Sequence, residues 1–242
     1  MSSRRFYCSD FVSKSVIELG SEEARHLSRV LRAKPDDEIE LFDGQGRQAV
    51  AFVEAINRAS VTCRVDQVVE RSGRGRTAIT ALVALPRGGA ADDVVRHLVE
   101  CGIHAFGEVI AERSVRRVRQ RGGNDNQVRF ERLSLSAMKQ CGLNVMPQLH
   151  PTCTVSELQC APQTLGVFGS TAGTAPLLHE YVESLDRVPD AIAFVVGPEG
   201  GWTPAEEACL VDAGFSQVSL GPTTLRIETA SIAMATFLAA LR

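Results

Sequence analysis

A chain of 242 residues exceeds a typical single domain, so two domains are expected, and 44% hydrophobic with 23% charged residues suits a globular protein with a real core. The net charge of −3, from 26 basic against 29 acidic residues, argues against a polycationic surface, so any contact with nucleic acid has to come from a local patch. Seven scattered cysteines without a CxxC pair predict reduced thiols in a cytoplasmic protein, five histidines without HExxH-type spacing predict no metal site, and no stretch reads as a signal peptide or a membrane span.

Near the start, SEEARHLSRVLR (21–32) predicts a helix with Ser21 as N-cap, acids in its first turn, and Ala24, Leu27 and Leu31 on the buried face. Three β-like runs follow, EIELF (38–42), QAVAFVEAI (48–56) and VTCRVDQVVE (61–70), with Asp43-Gly44 as a turn. Together they predict a small β-barrel-like domain over residues 1–72. The pattern changes at RSGRGR (71–76), which reads as a linker. From residue 77 strands alternate with helices: AITALVAL (78–85), a helix around 91–100, AFGEVI (105–110), a helix around 127–140, LGVF (165–168) and a helix around 176–185. This predicts a parallel α/β domain over 77–242.

The last two βα units differ from the rest. AIAFVV (191–196) is an apolar, β-branched run of the kind buried on both faces of a parallel sheet. Thr203-Pro204-Ala205-Glu206 supplies an N-cap, a proline at the first helical position and a capping box. Between them lie Gly197, Pro198, Glu199, Gly200 and Gly201, where Gly200 and Gly201 are expected at positive φ, leaving backbone open to another molecule. A second copy follows: the strand Val218–Leu220 ends in Gly221-Pro222, and an Ala-rich helix, expected to be largely buried, opens near Glu228. Two such loops at the C-terminal ends of strands predict one ligand site. Neither GxGxxG on a first βα turn nor GxxxxGK[ST] occurs, which argues against a dinucleotide or nucleoside triphosphate.

HLSRVLRAKPDDEIELFDG, AERSV (111–115), QCG (140–142), VVGPEGGWTPAEE and LGPTTLRIETA together resemble the RsmE family of 16S ribosomal RNA uridine-N3 methyltransferases, members of the SPOUT superfamily. The resemblance runs from about residue 4 to the C-terminus. It implies a PUA-like N-terminal barrel for RNA, a SPOUT-type parallel sheet whose last segments thread a trefoil knot, and a homodimer binding S-adenosylmethionine on the knot loops. Carried over residue by residue, the cofactor pocket uses Phe168 and Gly169, then Gly197, Pro198, Glu199, Gly200 and Gly201, and finally Leu220, Gly221, Leu225 and Arg226. Backbone N–H and C=O groups beside small residues suit adenosine, whose edges hydrogen-bond and whose face is apolar.

Arg226 and Glu228 are the candidate catalytic residues. A fixed guanidinium at Arg226 could hold the uracil carbonyls while N3 loses its proton; alternatively Arg226 only pairs with Glu228 or a partner subunit, and Glu228 only favours a helix N-terminus. Two arginine groups are candidates for ribosomal RNA: Arg25, Arg29 and Arg32 at helical spacing, and the RSVRRVRQR cluster with Arg113, Arg116 and Arg117. Basic residues expected from the resemblance are replaced at Ala90, His97, Leu143 and Thr223, and an expected glutamate by Lys139, all at positions read as facing substrate or partner. Two alternatives to an active methyltransferase therefore stay open: a divergent paralogue that binds cofactor and RNA without transferring methyl, and a phosphate-ligand or nucleotide enzyme on another α/β fold.

Overall fold

The computed structural model describes residues 4–57, 60–71, 77–115, 123–187 and 189–241, with no side chains described for 123–125. The chain divides into two compact units, Met1–Arg74 together with Leu135–Met146, and Gly75–Ser134 together with Pro147–Arg242. Of the predicted linker at 71–76, Arg71 belongs to the first unit and residues 72–76 lie outside the described residues.

The first unit is a five-stranded sheet in the order β1-β3-β4-β5-β2, formed by β1 (Arg5–Tyr7), β2 (Val16–Leu19), β3 (Glu38–Phe42), β4 (Arg47–Ile56) and β5 (Val61–Glu70). β1 runs parallel to β3 and every other pairing is antiparallel. Alternation decides the inner face: Ala49, Ala51 and Val53 of β4 and Val61, Cys63 and Val65 of β5 are buried with Phe6, Ile17, Ile39 and Leu41. Two register shifts between β4 and β5 add the local bending that lets long strands curl around this core. Burial pushes the Cys63 thiol up to about 12, so it behaves as a small apolar side chain.

The helix expected over 21–32 is shorter and wider than its pattern implies. α1 (Ser21–Arg25) passes into a π-helical turn over His26–Val30, closed by Leu31 N–H donating to the His26 carbonyl (3.1 Å). Ser21 is the first helical residue and not the N-cap; Gly20 holds that position without a side-chain bond. Ala24 and Leu27 are buried as expected, while Leu31 packs on the core only in part.

The first unit also takes in residues 135–146, the end of α3 (Gly123–Cys141) and the turn after it. Arg5 anchors them. Its Nη1 donates to the Met138 carbonyl (2.7 Å), its Nη2 to the Asn144 side chain, and its Nε to Glu40 (2.9 Å). Asn144 in turn donates from Nδ2 to Gln48 Oε1 and the Arg71 carbonyl, both 2.7 Å. A buried guanidinium whose donors meet a carboxylate, a carbonyl of the last helical turn and a side-chain amide oxygen is a satisfied one.

The second unit is a parallel sheet in the order β12-β10-β11-β6-β7-β8, built from β6 (Ala78–Val83), β7 (Ala105–Ile110), β8 (Gln148–Leu149), β10 (Thr164–Gly169), β11 (Ala191–Val196) and β12 (Phe215–Val218), with β9 (Cys153–Thr154) also on β7. Successive residues of the central strands enter opposite cores, as a sheet covered on both faces requires. Ile79, Ala81, Val83, Ile192, Phe194 and Val167 pack with α2 (Gly89–Glu100), α3, α4 (Leu178–Glu183) and α6 (Ile227–Ala239). Leu82, Ala193, Val195 and Phe168 pack with α5 (Pro204–Asp212) and the short turn at Val155–Glu157. The last strand stops at Val218, two residues before the predicted Leu220, because Ser219 turns to bridge Leu177.

Candidate active site

β12, β10 and β11 are neighbours and parallel, so their C-terminal ends release three loops side by side, over 170–177, 197–203 and 219–226. The first and last are tied together: Ser170 N–H donates to the Val218 carbonyl (2.9 Å), and Leu178 N–H to that of Ser219 (2.8 Å). The middle loop opens α5 as its sequence predicts. Thr203 Oγ1 accepts from Glu206 N–H (3.3 Å) while Glu206 Oε2 accepts from Thr203 N–H (2.9 Å), completing the capping box.

Of the two glycines expected at positive φ, Gly201 is and Gly200 is not. Gly201 is at φ 69°, in a turn closed by its N–H to the Pro198 carbonyl (2.9 Å). Gly200 is not at positive φ; a Cβ there would lie 3.0 Å from Arg113 Cβ. Gly197 is required by Trp202, whose ring would sit 2.7 Å from an added Cβ. Trp202 is buried, and its Nε1 donates to the Gly169 carbonyl (3.0 Å), joining the loop after β11 to the end of β10. Sequence reasoning missed this residue. The signal was a lone tryptophan beside a Gly-Pro-Glu-Gly-Gly turn, a large apolar ring with a donor that a buried setting must satisfy.

Phe168 is wholly buried in the α5-side core, so only its backbone could line a site, while Gly169, Gly197 and Gly201 are partly exposed and Glu199 and Gly200 exposed. In the last loop Leu220, Gly221 and Leu225 are partly exposed, and Gly221 is at φ 141°. Ser219 Oγ bonds with both the carbonyl (3.1 Å) and the N–H (3.3 Å) of Gly221. What remains is backbone N–H and C=O edged by small residues. That donor set fits an adenosine base and ribose. Among the described residues no group of acidic, histidine or cysteine side chains could hold a metal ion.

Arg226 is exposed at the N-cap position of α6 (φ −66°, ψ 158°), and Glu228 is half-buried in the first helical turn. Arg226 has no ion-pair partner among the described residues, so the Glu228 pairing considered from sequence is not made within the chain. Arg25, Arg29 and Arg32 are exposed, but the π-helical turn breaks their common helical face, and Arg32 is left-handed at φ 49°. Arg113 is engaged inside the α/β unit: Nη1 donates to the carbonyls of Gly200 (3.0 Å) and Trp202 (3.4 Å). Arg116 and Arg117 lie outside the described residues. Of the departures, Leu143 is buried and Lys139 pairs with Glu23, so neither is a free substrate-facing position; Thr223 is exposed in the last loop.

A PUA-like curled sheet and a parallel α/β unit with three adjoining loops at the C-terminal ends of its strands define the class. The family described as RNA methyltransferase domain matches residues 74–239, and that described as RNA methyltransferase PUA domain matches residues 19–66. Ribosomal RNA small subunit methyltransferase E of Mycobacterium bovis is 30% identical over 226 residues, 90% of this chain and 83% of that protein. The crystal structure of such an enzyme from Neisseria gonorrhoeae bound to S-adenosyl methionine superposes with a TM-score of 0.87 at 29% identity, covering 98% of this chain and 96% of that one. A putative methyltransferase of Legionella pneumophila in complex with its cofactor SAM gives 0.88 at 25% identity, covering 99% and 98%. The chain belongs to the ribosomal RNA small subunit methyltransferase E family of RNA methyltransferases.

Proposed function

We propose that the protein transfers a methyl group from S-adenosylmethionine to N3 of a uridine in 16S ribosomal RNA. The observation that carries this reading is the set of three adjoining loops after β10, β11 and β12, which bring glycine backbone to one edge of the sheet with the exposed Arg226 beside it. Gly169, Gly197, Pro198, Glu199, Gly200 and Gly201, with Leu220, Gly221 and Leu225, hold the cofactor by those groups. When bound, S-adenosylmethionine supplies an electrophilic methyl group on a sulfonium. Arg226, exposed and without an ion-pair partner among the described residues, donates to the uracil carbonyl oxygens and stabilises the charge that develops as the N3 proton leaves to solvent. Glu228 sets the first turn of the helix that carries it.

In this reading the C-terminal segment threads a trefoil knot, and the chain works as a homodimer, its partner covering the apolar part of α6 left open in one copy. Arg25, Arg29 and Arg32 bind phosphates from the PUA-like unit. The uncharged residues at Ala90 and Thr223 keep a second reading in view, a paralogue that binds cofactor and RNA without methyl transfer. Mass spectrometry of 16S rRNA from a deletion strain separates the two. Loss of one N3-methyluridine, restored by the wild-type gene, is expected; an unchanged modification profile with intact S-adenosylmethionine binding favours the paralogue.

A further inference from the structure

The loop after β7 touches the middle cofactor loop although β6 lies between β7 and β11 in the sheet. Its own shape is locked: Ser114 Oγ accepts from Ala111 N–H (2.9 Å) and Ser114 N–H donates back to the Ala111 carbonyl (3.0 Å). The Val115 carbonyl accepts from Arg87 Nε (3.1 Å) and Nη2 (2.9 Å). Glu112 N–H donates to Glu206 Oε1 (2.7 Å), so the carboxylate that caps α5 also holds this turn. Arg113 is thereby aimed at the 197–203 loop. Its stem lies against Gly200, and its Nη1 meets the Gly200 and Trp202 carbonyls.

We infer that Arg113 is a positioning residue for the cofactor loop: by fixing the peptide planes after Gly200 and after Trp202, it holds the loop in the conformation that receives S-adenosylmethionine. The inference rests on the reading of these loops as the cofactor site. Two carbonyls converging on one guanidinium nitrogen form charge-assisted bonds, which are stronger than neutral ones and orient both planes at once. The same bonds fix Trp202, whose indole N–H reaches across to Gly169, so one arginine sets the spacing of two of the three loops. Arg113 also begins the arginine-rich segment read from sequence as an RNA surface; the residue is exposed, but its Nη1 is committed to the 197–203 loop.

The test uses Arg113→Met, which keeps the stem and removes the donors, and Arg113→Lys, which restores a donor of the same charge. Calorimetry with S-adenosylmethionine is expected to show Arg113→Met binding about 10-fold more weakly, with Arg113→Lys recovering part of the loss and RNA affinity unchanged in both. Trp202 is the only tryptophan in the chain, so its emission reports the loop without any ligand. Emission from Arg113→Met is expected to shift to the red of wild type, with an unchanged melting temperature showing that the fold is intact. Wild-type cofactor affinity together with unshifted emission in Arg113→Met overturns the inference, as does a loss confined to RNA affinity. If wild type itself does not bind S-adenosylmethionine, the reading of the site fails, and the emission shift still decides whether Arg113 holds the loop.

Discussion

Gly200 holds its place in the loop for a reason other than the one its sequence suggests. The run Gly-Pro-Glu-Gly-Gly marks a loop that offers backbone, yet positive φ belongs to Gly201 and the space at Gly200 is taken by the Arg113 stem. Gly200→Val is therefore expected to displace that stem and the two carbonyls it holds, weakening S-adenosylmethionine binding by roughly 10-fold or more in a folded protein. Unchanged affinity by calorimetry would show that the loop adapts without cost. Arg226 calls for the opposite profile. Arg226→Ala is expected to leave RNA affinity near wild type while single-turnover methylation falls by about 100-fold, the usual order for one transition-state donor; full activity would remove it from the mechanism. Trp202 and Arg113 were not legible as loop-setting residues, because their roles depend on carbonyls that are 33 and 87 residues away in the chain.

Elements whose signal is local were legible almost to the residue. AFGEVI and AIAFVV form β7 and β11 at their predicted bounds, and α5 starts with the cap, proline and capping box written in its sequence. The first helix was not, since apolar spacing cannot distinguish a regular helix from one that widens midway. Ser28 Oγ back-bonds to the Ala24 carbonyl (2.7 Å), competing with the regular ladder, and the turn over His26–Val30 closes one residue later than an α-helix would. Arg25, Arg29 and Arg32 consequently spread over more than one face. Replacing all three with Ala is expected to weaken RNA binding across sequences and to flatten its salt dependence by roughly one unit of slope for each phosphate no longer neutralised, with cofactor affinity unchanged. An unchanged salt slope would move the RNA surface to another part of the chain.

At the scale of the molecule, α6 buries Ile227, Met234, Ala235 and Leu238 against the sheet but leaves Ile232, Ala233 and Phe237 half-covered. A single copy thus keeps apolar helix surface exposed to water, and light scattering at micromolar concentration is expected to give a dimer; a monomer would count against the proposed assembly. The boundary read near residue 72 follows a real change of period, from 2 in the strands to alternating strand and helix. It could not show that Leu135–Met146 belong with the first unit, because a helix carries one period along its whole length whichever core each half serves. That discontinuity has a consequence for synthesis. When β5 leaves the ribosome the nascent barrel holds Arg5 without Met138 or Asn144, and those partners arrive only after β6, α2 and β7 have been made. The N-terminal unit is thus expected to mature late, waiting on chain that begins the next one. A fragment of residues 1–72 should be less protected in hydrogen exchange at β1 than the same strand in the full chain, and equal protection would show that the barrel closes without its borrowed helix end.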